Sequence, residues 1–223
     1  MSRRPLDRVQ AFKAAFPRKY LEDILRAIFN CYETSHEHCQ NFFETTESTN
    51  LRPFYRRAMI EGQLRDAAAA HKTVTAVARR SPASGWNHTL VLADNVAFTQ
   101  NSAGDPDQVV RPSLFRQLYA CRDNQKYLFA ELEPEDAPPN PVLYAILIHG
   151  QSEESSIFPG FARIVFPKED LLSNWSGHID LFAEFPEIVR LCSTGKFEDP
   201  KAEEVAEPKP ELKKKQVRKS GGA

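Results

Sequence analysis

Histidine is the side chain best suited to acid–base or metal chemistry near neutral pH, and this sequence has six. Three of them stand where an ordered element begins or ends. His149 closes the apolar run Leu143-Tyr-Ala-Ile-Leu-Ile-His-Gly150, His88 follows Trp86-Asn87 ahead of Thr89–Leu92, and His178 follows Trp175 just before a helical pattern. Rigid scaffolds present polar groups to ligands at such ends. His149, His178 and His88 are therefore the candidate catalytic residues of a hydrolase, with Asp180, Glu131 and Glu133 as carboxylates able to orient them. The competing reading of His149 is a histidine bonded to a neighbouring backbone group at a strand end.

Other chemistry finds less support. His36-Glu37-His38-Cys39 packs potential metal ligands into four residues, with His36 and Cys39 at i, i+3 on a helix, but no second Cys/His cluster completes a site and H-E-x-x-H is absent. We assign no metal and no cofactor. No G-x-S-x-G elbow is present, and Cys121 and Cys192 fall on apolar helical stripes, where a buried thiol is expected. Neither G-x-x-x-x-G-K-[ST] nor G-x-G-x-x-G occurs, which disfavours a nucleotide-dependent enzyme. Basic residues cluster at Arg52/Arg56/Arg57, at Arg79-Arg80, and most densely in Lys213–Lys219. That last stretch holds five cations in seven positions and could bind nucleic-acid phosphates through counterion release; a solubilising tail is the alternative.

The totals bound the answer. The 223 residues, 41% hydrophobic with 15 Phe, can build one sizeable domain, and the mean hydropathy of −0.49 is that of a water-exposed chain. The net charge of −1 gives no global bias toward nucleic acid or membrane. No window reaches the roughly 18 apolar residues of a membrane span, no apolar leader stands at the start, and the four cysteines contain no C-x-x-C pair. We expect a cytoplasmic protein without disulfides and without a membrane partner.

These residues must be positioned by helices first and strands later. Leu6, Val9, Phe12 and Phe16 predict a helix over 5–16 that Pro17 stops, and Leu21, Ile24, Leu25, Ile28, Phe29 and Tyr32 predict one over 18–33. A further helix is expected over 35–43, then a polar loop over 45–50 with Asn50 as N-cap, then a helix from Leu51 to about Lys72 with Pro53 in its first turn. A hairpin is expected at 89–100, turning at Ala93-Asp94, and a helix over 112–122. The acidic, Pro-rich stretch 133–141 reads as an exposed connection. Leu143–Gly150 predicts the buried central strand, and Gly160–Phe166 a strand antiparallel to it, because the connection of about nine residues is too short for a parallel crossover. Leu181–Cys192 predicts a helix split near Glu184 by Pro186; beyond Thr194 the charged composition predicts a disordered tail.

In order along the chain, Phe98-Thr-Gln, Leu114-Phe-Arg-Gln-Leu, Tyr144-Ala-Ile-Leu-Ile-His-Gly150 and Phe161-Ala-Arg-Ile-Val-Phe-Pro167 resemble a group of uncharacterised bacterial proteins over about residues 86–190. The resemblance implies a bacterial or phage setting and carries over no functional residue. The expected architecture is α+β: a helical part at 1–80 packed on a small, mainly antiparallel sheet within 81–194, with the tail at 195–223. The leading functional expectation is an interaction or regulatory protein with a protein partner, as in a bacterial toxin–antitoxin or phage-defence module. The alternatives are the histidine hydrolase, acting for instance on nucleic acid, and a nucleic-acid binder using the basic tail.

Overall fold

Alternation along the strands sorts this chain's apolar residues onto the two faces of one sheet, and the helices cover one of those faces. The computed structural model describes residues 7–81, 85–108, 110, 113, 116, 143–151, 157–168 and 175–194. The expected helix at 112–122, the 133–141 connection, Glu131, Glu133 and the tail with Lys213–Lys219 lie outside the described residues, apart from single positions in the first of these. The elements are α1 (Arg8–Ala15), α2 (Arg18–Phe42), α3 (Thr45–Ala69), β1 (Thr75–Arg80), β2 (Asn87–Ala93), β3 (Val96–Ser102), β4 (Leu143–Gln151), β5 (Pro159–Pro167), β6 (Trp175–Asp180), α4 (Leu181–Glu184) and α5 (Pro186–Ser193). The fold is α+β.

The helices form where the stripe and the stops require. Asp7 caps α1 by accepting from the Gln10 N–H, and Phe16 is extended, as the residue before Pro17 must be. The helix expected at 18–33 runs on to Phe42, because nothing between Tyr32 and Ser35 breaks it and the Ser35 hydroxyl is absorbed by the Tyr32 carbonyl at 3.0 Å. The loop expected at 45–50 is helical instead. Glu44 takes the N-cap position, Ser48 N–H bonds its carbonyl at 2.8 Å, Glu47 complements the helix dipole, and the Thr49 hydroxyl bonds back to Thr45 O at 2.8 Å. Pro53 therefore sits inside α3 on its exposed side, where water can meet the carbonyl that its missing N–H leaves unbonded. At the other end of the chain Pro186 does split the final helical segment, becoming the first residue of α5.

The six strands lie in sequence order, β1 to β6, and every neighbouring pair is antiparallel except β3–β4. The hairpin β2–β3 closes one residue later than expected, with Ala93 paired to Val96 and Asp94 in the left-handed region at φ 47°. β4 is central, its residues from Leu143 to Gly150 all buried, and β5 is antiparallel to it as expected. The parallel β3–β4 pair is permitted by the long connection 103–142. β1 and β6, both half-exposed edge strands, had no clear apolar alternation to reveal them.

Val91, Phe98, Ala145, Leu147, Ile164 and Phe166 face the helices, where they join Phe12, Phe16, Tyr20, Ile24, Leu25 and Ile28 in one core. Leu90, Ala97, Tyr144, Ile146, Ile148, Phe161 and Val165 form a second buried cluster on the opposite face. Between Gly150 and its β5 neighbour there is no room for a side chain: a Cβ on Gly150 would overlap the Phe161 ring and the Ala103 carbonyl oxygen. Gly150→Ala is expected to cost about 1–3 kcal/mol, as overpacking does. Urea titration should show a lower midpoint at unchanged slope.

Candidate functional site

The helix-facing side of the sheet turns polar at one end. Thr89 on β2, Gln100 on β3 and His149 on β4 occupy inward positions that an apolar residue would ordinarily fill, and all three are buried, His149 at 1% exposure. Buried polar groups need partners, and α2 and α3 supply them. The Tyr32 hydroxyl lies 3.0 Å from His149 Nδ1, His149 Nε2 lies 3.0 Å from Gln100 Oε1, and Gln100 Nε2 donates to Glu61 Oε1 at 2.8 Å. Glu61 Oε2 accepts from the Thr89 N–H, and the Thr89 hydroxyl donates to the Glu61 carbonyl at 3.0 Å while accepting from Arg65 at 2.7 Å.

The chemistry of each group fixes the direction of this chain. Both Glu61 oxygens receive N–H donors, as an ionised carboxylate's do, so Gln100 must turn its NH₂ to Glu61 and its oxygen to His149. His149 then carries its proton on Nε2, leaving Nδ1 to accept from Tyr32. The charge states agree with that tautomer. Burial, reinforced by the Arg56 guanidinium, pushes His149 down to about 3, and burial pushes the Tyr32 phenol up to about 12, so both are neutral at physiological pH. Arg56 is itself buried, with its guanidinium 3.7 Å from the Tyr32 ring centroid and its Nε donating to Ser35 Oγ at 3.3 Å.

Glu61 also reaches the surface side of α3, where a cleft of about 280 Å³ is lined by Phe54, Arg57, Ala58, Glu61, Arg65, Trp86, Asn87 and His88. Arg57, Glu61 and Arg65 follow one another at i, i+4 and i+8, which stacks them along one helix face. Phe54 and Trp86 form the rim, 61% and 59% exposed, with ring centroids 6.5 Å apart and planes 28° from parallel. The Arg57 guanidinium lies 5.9 Å from the Trp86 ring. On its far side Phe54 also lines an apolar groove of about 250 Å³ together with His38, Cys39, Phe43, Leu51 and Tyr55. There His38 stacks on Tyr55 with planes 5° from parallel, and its Nδ1 is 3.3 Å from the Tyr55 hydroxyl.

The three candidate histidines are not brought together. His149 alternates with Leu147 and Ala145 and faces the helices, whereas His88 alternates with Leu90, and His178 pairs with Val165, both on the opposite face. His88 and His178 share that face but stand four strands apart, roughly 19 Å at the usual strand spacing. No single substrate atom can meet all three. His149 has both ring nitrogens in hydrogen bonds to side chains rather than to backbone, and His178 is exposed on the edge strand. Asp180 caps α4 and accepts from Arg163 at 3.3 Å, so it serves a helix end. Cys31, Cys39 and Cys192 are buried free thiols, and among the described residues no three His, Cys, Asp or Glu side chains are grouped to hold a metal ion. No described helix is long and apolar enough to cross a membrane.

Glu61, Tyr32 and Gln100 were missed in the sequence. Their signal is a break in period: polar residues at inward strand positions on three adjacent strands, which together call for a charged partner on the covering helix. The chain matches no protein-family model, no curated protein and no solved structure.

Burial of neutral His149 ties stability to pH. Its folded value lies below its unfolded one, so below about pH 6.5 the unfolded chain binds the proton that the folded chain refuses, and stability falls until pH approaches the folded value of about 3. From pH 7 to pH 5 the expected loss from this residue is about 2 kcal/mol. Urea titrations at the two pH values should show that His149→Asn, although less stable at pH 7, loses correspondingly less on acidification. His88, held down to about 4 first by burial and then by Arg116, Arg57 and Arg79, adds to the wild-type slope in the same direction and remains in the variant.

Proposed function

We propose that this chain is an interaction protein of regulatory type, and that it binds an amphipathic, acid-flanked segment of a partner protein in the groove between the end of α2 and the first half of α3. The observation that carries the reading is the gathering of exposed large apolar side chains. Among the described residues Phe42, Phe43, Leu51, Phe54, Tyr55 and Trp86 fall in this one region, with Leu191 the exception, and Phe42 is 70% exposed. Single exposed apolar residues are ordinary; a contiguous, mainly aromatic patch marks a docking surface.

Charge supports the chemistry assigned to the partner. Arg52 and Arg57, neither of them buried, lie on α3 among the groove residues Leu51, Phe54 and Tyr55, and His36 is held below its ordinary value by burial first, then by Arg52 and Arg56. A cationic border on an apolar groove favours a segment whose apolar side chains are flanked by carboxylates. With the bacterial or phage setting that the sequence resemblance implies, a component of a toxin–antitoxin or phage-defence module is the form of this reading we adopt.

The test is to place a benzophenone side chain at Leu51, cross-link in extract of the source cells, and map the attached segment. That segment is then synthesised and its binding to the full chain measured. The expected peptide has apolar residues at i, i+3 or i+4 with flanking Asp or Glu, binds more weakly as salt rises, and loses about tenfold or more in affinity to Leu51→Glu. Leu51 is exposed, so the substitution should change folding stability by no more than about 0.5 kcal/mol. Cross-links confined to a second copy of this chain, a segment without acids, or an affinity unchanged by Leu51→Glu would each overturn the reading.

A further inference from the structure

We propose that the cleft between α3 and the start of β2 is a binding site for a nucleoside phosphate, with the base against Phe54 and Trp86 and the phosphate on Arg57. Its lining shares only Phe54 with the lining of the groove described above, and although Trp86 and Arg57 border both, the cleft's own shape and charge carry the proposal, which does not depend on the partner reading.

The cations come first. Arg57 makes no ion pair among the described residues, and its guanidinium stands over the Trp86 ring. Arg65, two turns along the same helix face, closes the far end of the cleft with one donor on Thr89. His88 on the cleft wall is held down to about 4 by burial first and then by neighbouring arginines, Arg57 among them, so it adds no charge. Among the described lining residues the one carboxylate is Glu61, whose oxygens already receive Gln100 and Thr89. The described lining is thus cationic on balance, Arg57 and Arg65 against Glu61, and a planar guanidinium at the mouth of the cleft suits the paired oxygens of a phosphate. This grip comes from side chains, which is why no glycine-rich phosphate loop announces it.

The walls then choose among anions. An isolated inorganic anion or a peptide of acidic residues alone has no use for two large aromatic rings set 28° from parallel and exposed at the rim, whereas a purine or pyrimidine stacks on such faces. The volume, about 280 Å³, is close to the lower end of small-ligand sites, roughly 300 Å³, and so fits one nucleotide rather than two. Glu61 on the floor repels the phosphate toward Arg57 at the mouth and has lone pairs left to accept from a base amino group. The nucleotide is either free or an unpaired residue of a strand; the chemistry recognised is the same.

The two tryptophans of the sequence make the test direct, because Trp175→Phe leaves Trp86 as the sole tryptophan reporter. Its fluorescence is titrated with AMP, with adenosine, with inorganic phosphate and with a short oligo-deoxyadenylate, and calorimetry on the unmodified chain repeats the AMP measurement. The expected result is saturable AMP binding, at least about tenfold weaker binding of adenosine and of phosphate alone, and a Kd raised about tenfold or more by Trp86→Ala in the calorimetric assay. Arg57→Gln, at a half-buried position with no ion pair among the described residues, should weaken AMP and flatten the salt dependence while leaving the urea midpoint in place. Tighter binding of the oligonucleotide than of AMP assigns the site to strands; equal or weaker binding assigns it to free nucleotide. Absence of binding by both AMP and the oligonucleotide, phosphate binding as tight as AMP, an unchanged Kd in Arg57→Gln, or equal competition by a poly-glutamate peptide would overturn the proposal.

Discussion

A buried carboxylate must be surrounded by donors, and Glu61 imposes that requirement on four other elements of this fold. Its Oε1 orients the Gln100 amide, that amide selects the His149 tautomer, and the tautomer makes Tyr32 a donor. The Thr89 N–H completes the set from β2. Through one side chain α3 is registered against β2, β3 and β4, and through His149 the same chain reaches α2. Apolar packing alone tolerates sliding and repacking, whereas this chain of directional bonds is satisfied in one arrangement. Removing a member strands its neighbour in a dry interior, which costs about 1–3 kcal/mol per unpaired group.

α3 is consequently a helix with three duties on its circumference. Ile60, Leu64 and Ala68 enter the core, Arg57, Glu61 and Arg65 line the cleft, and Leu51, Phe54 and Tyr55 shape the groove toward its N-terminal half. A helix that is amphipathic in the ordinary sense has one buried and one wet side. This one adds a cleft and a groove to its exposed side, which is why its apolar residues look scattered when read in sequence. The core stripe positions the two exposed surfaces relative to each other, and the bond from Glu61 to the Thr89 N–H ties the α3 wall of the cleft to β2.

Much of the fold was legible in the sequence because it follows from period. The stripe from Leu21 to Tyr32 yields α2, the continuous run Leu143–Gly150 yields the buried central strand, and Pro186 splits the last helix where a missing N–H must. What failed had local signals that tertiary context overrode. Thr45–Asn50 looks like a loop because its hydroxyls compete for backbone groups, yet the segment is helical and the Thr49 hydroxyl back-bonds to Thr45 within α3; β1 and β6 lack alternation because edge strands bury only part of one face. The site was harder to see. His149 stood out in the sequence by its position at the end of an apolar run, but its partners come from Tyr32, Gln100 and Glu61, and only the folded sheet brings strands so distant in sequence to one polar corner. The cleft residues Arg57 and Trp86 were visible as a basic cluster and a lone aromatic, with nothing in sequence to join them.

The parallel pairing of β3 with β4 has a kinetic side. The hairpin β2–β3 closes over a two-residue turn, so those strands can find each other early, while the partner for the other edge of β3 lies beyond the whole 103–142 connection. Loop-closure entropy and the slowness of non-local strand pairing put that step late. Until β4 docks, the inward corner holding Gln100 lacks His149, and β3 presents an open row of amides and carbonyls to any strand that arrives. In a cell, where synthesis delivers residue 102 well before residue 143, this chain spends its vulnerable interval with its future centre as an edge.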